Sequence, residues 1–195
     1  MIETYCRSTY DKLLVLPVAK LLKRGPLANP NFITLLSVIV GLFIIPSLYF
    51  SLSWLAITLL LISGYLDTLD GTLARLQDSS SDMGSVFDII ADRIVEFCVV
   101  IGLFLVDPSG RGFECLFILG SFYLCVTAFL VVGVFCENDG KKGFYYSVGL
   151  IERAETFGFF ILMILFPASF TYLAWILIAL VLVTVMLHVY RFCKH

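Results

Sequence analysis

Apolar runs at residues 31–50, 53–75, 85–106, 112–136, 146–166 and 170–191 alternate with short polar stretches along the chain. A helix crosses a bilayer with about 20 mostly apolar residues, and a barrel strand with about half that number. Backbone groups in lipid must be satisfied within their own segment, so the pattern predicts an all-α integral membrane protein with six transmembrane helices. Ahead of them, residues 2–24 set Leu13, Leu14, Val15, Val18, Leu21 and Leu22 beside Lys12, Lys20, Lys23 and Arg24. That mixture predicts an amphipathic helix lying in the membrane interface. Charges run through this segment without an uninterrupted apolar core, so it does not read as a signal peptide. Neither a repeat nor a linker divides the rest. The expected organisation is an interfacial segment at 1–30 and one six-helix membrane domain at 31–195.

Composition sharpens this picture. Of 195 residues 60% are hydrophobic and 14% charged, with mean hydropathy +0.99, whereas soluble domains are roughly 45–50% apolar and about 25% charged. A soluble enzyme, a nucleic-acid binder with a basic face, a disordered chain and a disulfide scaffold are excluded. Cysteines at 6, 98, 115, 125, 136 and 193 show no C-x-x-C spacing and read as small buried hydrophobes. Six spans place both termini on one side with the loops 76–84 and 137–145. Arg7, Lys12, Lys20, Lys23, Arg24, Lys141, Lys142, Arg191 and Lys194 fall on that side, against Arg111 on the other. The positive-inside rule makes it the cytoplasmic side.

Ionisable residues inside spans are costly and are functional candidates by default. Here Asp67, Asp70 and Arg75 close the second span, and Asp88, Asp92, Arg93 and Glu96 open the third. Helical spacing puts Asp67 and Asp70 one turn apart on one face, and Gly84, Asp88 and Asp92 along one stripe of the next helix. If those helices pack across the short 76–84 loop, four carboxylates converge. Unneutralised, they would repel and take up protons. A pair of divalent cations removes the conflict, and all-oxygen ligands favour Mg²⁺, then Mn²⁺ or Ca²⁺. Gly71 and Gly84 leave the backbone bare beside the acidic face. Arg75, one turn past Gly71, suits an anionic oxygen. Together these residues point to a pyrophosphate substrate; a packing ion pair with Arg75 or Arg93 would explain one carboxylate but not four.

The run Asp67-Thr-Leu-Asp70-Gly71-Thr-Leu-Ala74-Arg75, eight residues, then Gly84-Ser-Val-Phe-Asp88-Ile-Ile-Ala-Asp92 resembles the signature of the CDP-alcohol phosphatidyltransferase family at every fixed position. Pro30-Asn31-Phe-Ile-Thr34 resembles a segment found at the mouth of the family's first span. The resemblance implies a six-helix membrane enzyme, commonly a homodimer, that displaces CMP from a CDP-linked alcohol with the hydroxyl of a second alcohol. It implies that Asp67, Asp70 and Asp88 bind two metal ions, with Asp92 near the second ion and acting as general base. Asn31, Thr34, Asp67, Gly71, Ala74, Arg75 and Gly84 would lie along the CDP moiety.

The acceptor side is less sharply written. Lys141 and Lys142 precede the fifth span, Arg153 is expected two turns into it within Glu152-Arg153-Ala-Glu155, and Arg191 ends the sixth. Lys142, Arg153 and Arg191 are the acceptor-binding candidates, each with a plainer role as membrane anchor, local ion pair or snorkelling residue. The E-R-x-E cluster resembles a segment of the phosphatidylinositol-phosphate synthase branch, which favours a phosphorylated polyol such as inositol phosphate or glycerol 3-phosphate as acceptor, and a length of 195 residues resembles that of the family's CDP-diacylglycerol users, which favours that donor. Competing readings are a CDP-choline or CDP-ethanolamine phosphotransferase acting on diacylglycerol, an intramembrane prenyltransferase and a cation transporter. Prenyltransferases place two Asp-rich motifs far apart, and transporters place carboxylates near mid-membrane; here both pairs fall within 26 residues at one end.

Overall fold

The computed structural model describes residues 10–23, 29–79, 81–135 and 149–194. Lys141, Lys142, Cys6 and Cys136 lie outside the described residues, as do parts of the expected interfacial helix and the first residues of the expected fifth span. Among the described residues every regular element is helical: a π-helical turn Asp11–Val15, then α1 (Leu16–Leu22), α2 (Pro30–Leu42), α3 (Ile44–Tyr49), α4 (Ser53–Leu76), α5 (Asp82–Val106), α6 (Pro108–Phe135), α7 (Arg153–Leu165), a 3₁₀ turn Pro167–Ser169 and α8 (Phe170–Lys194). Among the described residues four stretches are long and apolar enough to span a bilayer: Pro30–Tyr49, Ser53–Leu76, Pro108–Phe135 and Pro167–Lys194. The 25 residues of α5 have the length but carry Asp92, Arg93 and Glu96, and the 13 of α7 are too few.

The chain divides into two compact units, one within Thr4–Val106 and one holding Asp107–His195. In the first, α2 and α3 form a single span interrupted at Phe43. Pro46 explains the interruption, since it has no N–H to offer the Leu42 carbonyl four residues back. This span packs against both α4 and α5, so the two motif-bearing helices are braced by a common neighbour rather than lying against each other along their lengths. Small residues make the contacts close, as in other lipid-embedded helix pairs. A Cβ on Gly41 would stand 2.8 Å from Val95 Cγ2, and one on Gly102 would stand 2.6 Å from Leu48 Cδ1. Ser37 and Ser63 donate to each other's carbonyl oxygens, both at 3.1 Å, which ties α2 to α4 in one register.

The N-terminal helical segment packs on α4. Its Val15 and Ala19 are buried with Leu69, Leu73 and Ile33, flanked by Val18 and Leu22. Leu13, Leu14 and Leu21 face outward, so the apolar residues divide between an inner and an outer face. The Tyr65 hydroxyl donates to Leu14 O at 3.1 Å, and Lys23 Nζ donates to Leu76 O at 2.6 Å, placing a cation at the negative, carboxyl end of α4.

In the second unit α6 packs along α8, with α7 beside α8. Charged residues at the start of α6 are buried against α8: Glu114 Oε1 accepts from the Thr171 hydroxyl at 3.2 Å, and the Arg111 guanidinium sits 4.6 Å from the centroid of the Phe170 ring. The sequence placed Arg153 two turns inside a span, and the structure corrects this. α7 starts at Arg153, with Glu152 as its N-cap and a capping box in which Glu155 Oε2 accepts from Glu152 N at 3.2 Å. The charged cluster is therefore a helix start rather than a buried interior, because each glutamate side chain accepts from the other's backbone N–H.

Candidate active site

The carboxyl end of α4 and the amino end of α5 are shaped by two caps. Asp78 takes φ +51°, with Asp78 N donating to Arg75 O at 3.3 Å and Ser79 N to Ala74 O at 3.1 Å. That is a Schellman ending, with Asp in the left-handed position where Gly is usual. It stops α4 immediately after Arg75 and Leu76. Ser81 then caps α5, its hydroxyl accepting from Gly84 N at 3.1 Å. On the first span, the Asn29 side chain accepts from Asn31 N at 3.0 Å and Pro30 occupies the first helical position, so the cap fixes Asn31 at the mouth of α2.

These ends enclose a cavity of about 510 Å³ lined by residues 29–31 and by Thr34, Asp70, Gly71, Ala74, Arg75, Gln77, Ser79, Ser81, Gly84, Ser85 and Asp88. Asp67, Asp70 and Asp88 each present an oxygen such that all lie within 4.8 Å of one another. Asp70 is buried at 4% exposure, Asp67 is half-buried and Asp88 is open to the cavity. The Thr34 hydroxyl, 3.1 Å from Pro30 O, donates to Asp70 Oδ2 and orients that carboxylate. Three carboxylates so close, one of them buried, repel strongly at low dielectric. An oxygen-only donor set of this size and charge fits a hard divalent cation.

Every residue the sequence assigned to the CDP moiety except Asp67 lines this cavity, and Asp67 stands in the carboxylate triplet. A Cβ on Gly71 would meet only Arg75 Nη1, at 3.6 Å, so the glycine opens the α4 backbone to a ligand. On Gly84 a Cβ would approach Ser81 Oγ at 3.3 Å and Asn31 Oδ1 at 3.7 Å. Arg75 is exposed and steadied by Nη2 donating to Thr72 Oγ1 at 2.9 Å.

Asp92 stands outside the triplet. It lies one turn further along α5, where its Oδ2 is 4.0 Å from Arg93 Nη2 while Arg93 Nη1 holds buried Glu96 at 2.8 Å. Of the acceptor candidates, Arg153 opens α7 with its guanidinium 5.1 Å from the Phe157 ring centroid, and Arg191 is exposed in the last turn of α8. Lys142 is outside the described residues. Sequence reasoning missed the lining residues Asn29, Gln77, Ser79, Ser81 and Ser85. The Asn-Pro pair before the first span, and a serine three residues ahead of Gly84, are capping signals that could have found two of them.

An acidic triplet beside a glycine-lined cavity, in a protein whose described residues are helical with apolar spans, is the arrangement of a membrane enzyme that binds a divalent cation. The family model described as CDP-alcohol phosphatidyltransferase matches residues 27–187, and the chain belongs to that family. It is 32% identical over 154 residues to the inner membrane protein YnjF of Escherichia coli, covering 74% of this chain and 73% of that one. It is 30% identical over 150 residues to the phosphatidylinositol phosphate synthase of Corynebacterium glutamicum, covering 74% of this chain and 65% of that protein's length. Its fold matches that of the Mycobacterium tuberculosis phosphatidylinositol phosphate synthase, solved with CDP-DAG bound, with a TM-score of 0.73 at 19% identity, covering 92% of this chain and 93% of the other. The same mycobacterial enzyme is also solved with manganese and citrate.

Proposed function

We propose that the protein transfers the phosphatidyl group of CDP-diacylglycerol to the hydroxyl of a phosphorylated polyol, with release of CMP. The observation that carries this reading is the convergence of Asp67, Asp70 and Asp88 beside a cavity floored by Gly71 and Gly84 and edged by Arg75. The bare backbone at Gly71 admits the pyrophosphate closely, while Arg75 offers a planar donor fork to its oxygens. Asn31, Thr34, Ala74 and Gly84 wall the nucleotide end. Bound to Asp67, Asp70 and Asp88, with Asp92 near the second, two Mg²⁺ ions, replaceable by Mn²⁺, would neutralise the acidic cluster and stabilise charge building up on the departing CMP.

Asp92 takes the proton of the acceptor hydroxyl as its oxygen attacks the phosphorus that carries diacylglycerol; the bond from that phosphorus to the CMP oxygen breaks, and CMP leaves with the electron pair. Arg153 and Arg191 supply positive charge for the acceptor's phosphate, together with Lys142. Residues 31–195 form the membrane domain with six spans, α5 and the stretch containing α7 being the two that charge and length leave out of the apolar set. The N-terminal segment lies in the interface with Leu13, Leu14 and Leu21 in lipid, and the cavity opens to the cytoplasm. The working form is a homodimer.

The deciding experiment incubates purified protein with CDP-diacylglycerol, a divalent cation and a panel of acceptors. CMP release that requires both the cation and inositol phosphate or glycerol 3-phosphate is the expected result. Full turnover in excess chelator, release with a non-phosphorylated alcohol alone, or ion flux without CMP release would each sink the reading.

A further inference from the structure

Where the turn leading into α7 meets the end of α8, a set of polar groups takes no part in the steps above. Thr184 Oγ1 accepts from Ile151 N at 3.2 Å and donates to Leu180 O at 3.0 Å. Gly149 lies so close that a Cβ there would stand 2.7 Å from Thr184 Cγ2 and 3.0 Å from Ile151 O. One turn along α8, His188 Nε2 is 3.7 Å from that same position, and its ring meets Phe129 edge to face with centroids 6.1 Å apart. The imidazole is 5% exposed, and its Nδ1 is buried without a hydrogen-bond partner among the described residues.

A buried polar atom left unpaired costs at least as much as a lost hydrogen bond, so each needs an explanation. Phenylalanine would fill this place against Phe129 without that cost. Polar groups inside membrane helices are functional candidates by default. Two further features indicate what completes this one. His188 and Arg191 are three residues apart on α8 and so occupy neighbouring positions of its surface. The turn that packs on His188 and Thr184 runs directly into Arg153, the first residue of α7. The imidazole's neighbour on α8 and the residue at the end of the turn packed against it are thus the two described cations assigned to the acceptor's phosphate.

We infer that His188 is a specificity-determining residue for the acceptor, pairing through Nδ1 with a hydroxyl of the phosphorylated polyol. This rests on the acceptor class proposed above. A hydroxyl can donate or accept, so either imidazole tautomer pairs with it, and no proton or bond is exchanged.

The test uses the full chain with CDP-diacylglycerol and compares inositol phosphate with glycerol 3-phosphate, which differ in the number and arrangement of their hydroxyls. His188→Phe is expected to raise acceptor KM about tenfold, the scale of one buried hydrogen bond, with donor KM unchanged and the preference between the two acceptors altered. His188→Gln, which keeps a donor and an acceptor, should recover part of that loss. An unchanged acceptor KM in His188→Phe, or equal loss of donor and acceptor use in both variants, would overturn the inference. The wild-type acceptor panel tests the class of acceptor separately. If wild type uses only a non-phosphorylated alcohol, that class fails, and the variants' KM for the alcohol actually used still decides whether His188 reads the acceptor.

Discussion

In the first unit Asp67, Asp70 and Asp88 turn their oxygens toward one another within 4.8 Å. In the second, Glu114 is met by Thr171 at 3.2 Å, and Glu155 accepts from the Glu152 backbone at 3.2 Å in a capping box. Both units bury carboxylates in apolar surroundings, yet among the described residues only the first gathers like charges around open space. A carboxylate answered by a hydroxyl or a helix start is accounted for by folding alone. A cluster of carboxylates facing a cavity is not, because it raises the energy of the folded chain until a cation arrives. The contrast separates charge kept for structure from charge kept for a ligand.

The sharpest way to break that contrast is to neutralise the cluster. Asp67→Asn, Asp70→Asn and Asp88→Asn should each cut transfer by about 10³-fold or more while the protein still inserts and folds. Wild-type-like CMP release in any one of them would return the triplet to a structural role. Asp92→Asn keeps shape and removes basicity, so turnover should fall on the order of 10²-fold with donor and metal binding retained. Joint loss of binding and turnover would instead make Asp92 a ligand like its neighbours. In the second unit, Arg153→Ala and Arg191→Ala should raise acceptor KM by about tenfold, as for a lost charge-assisted hydrogen bond, with donor KM little changed. Equal effects on both substrates would show these arginines to be structural. Asp78→Gly should stabilise the chain by about 0.5–1 kcal/mol, since glycine adopts the left-handed turn without strain, measured as a raised midpoint of thermal unfolding with turnover unaffected. A Cys at Ser79, in a background without reactive native thiols, should be labelled only from the cytoplasmic side.

The acidic cluster was legible in sequence because its residues sit at helical spacing on two consecutive helices joined by a few residues. Periodicity places Asp67 beside Asp70 and Gly84 beside Asp88 without knowledge of the fold. The brace between those helices was not legible: Ser37, Gly41 and Ser63 look like ordinary small residues until a neighbour's backbone is known. The position of Arg153 was misread for a local reason. Glu152-Arg153-Ala-Glu155 reads equally as charges within a helix or as the first turn of one, and only the reciprocal cap decides. In the N-terminal segment the apolar residues were too many to tell which would face α4; Val15 and Ala19 turned inward, Leu13 and Leu21 outward.

Gly41 and Gly102 let α5 settle directly onto the first span, which also abuts α4. The thickness of that one intervening helix therefore gauges how far apart the two rows of carboxylates stand. The spacing of the acidic cluster thus depends on two missing methyl groups as well as on the carboxylates themselves. Mg²⁺ accepts only short bonds of about 2.0–2.1 Å, whereas Ca²⁺ tolerates about 2.3–2.6 Å. Adding a methyl at either glycine would thus act as a shim between helices, moving Asp88 relative to Asp67 and Asp70 toward the longer bonds of a larger cation while leaving the identity of every carboxylate unchanged.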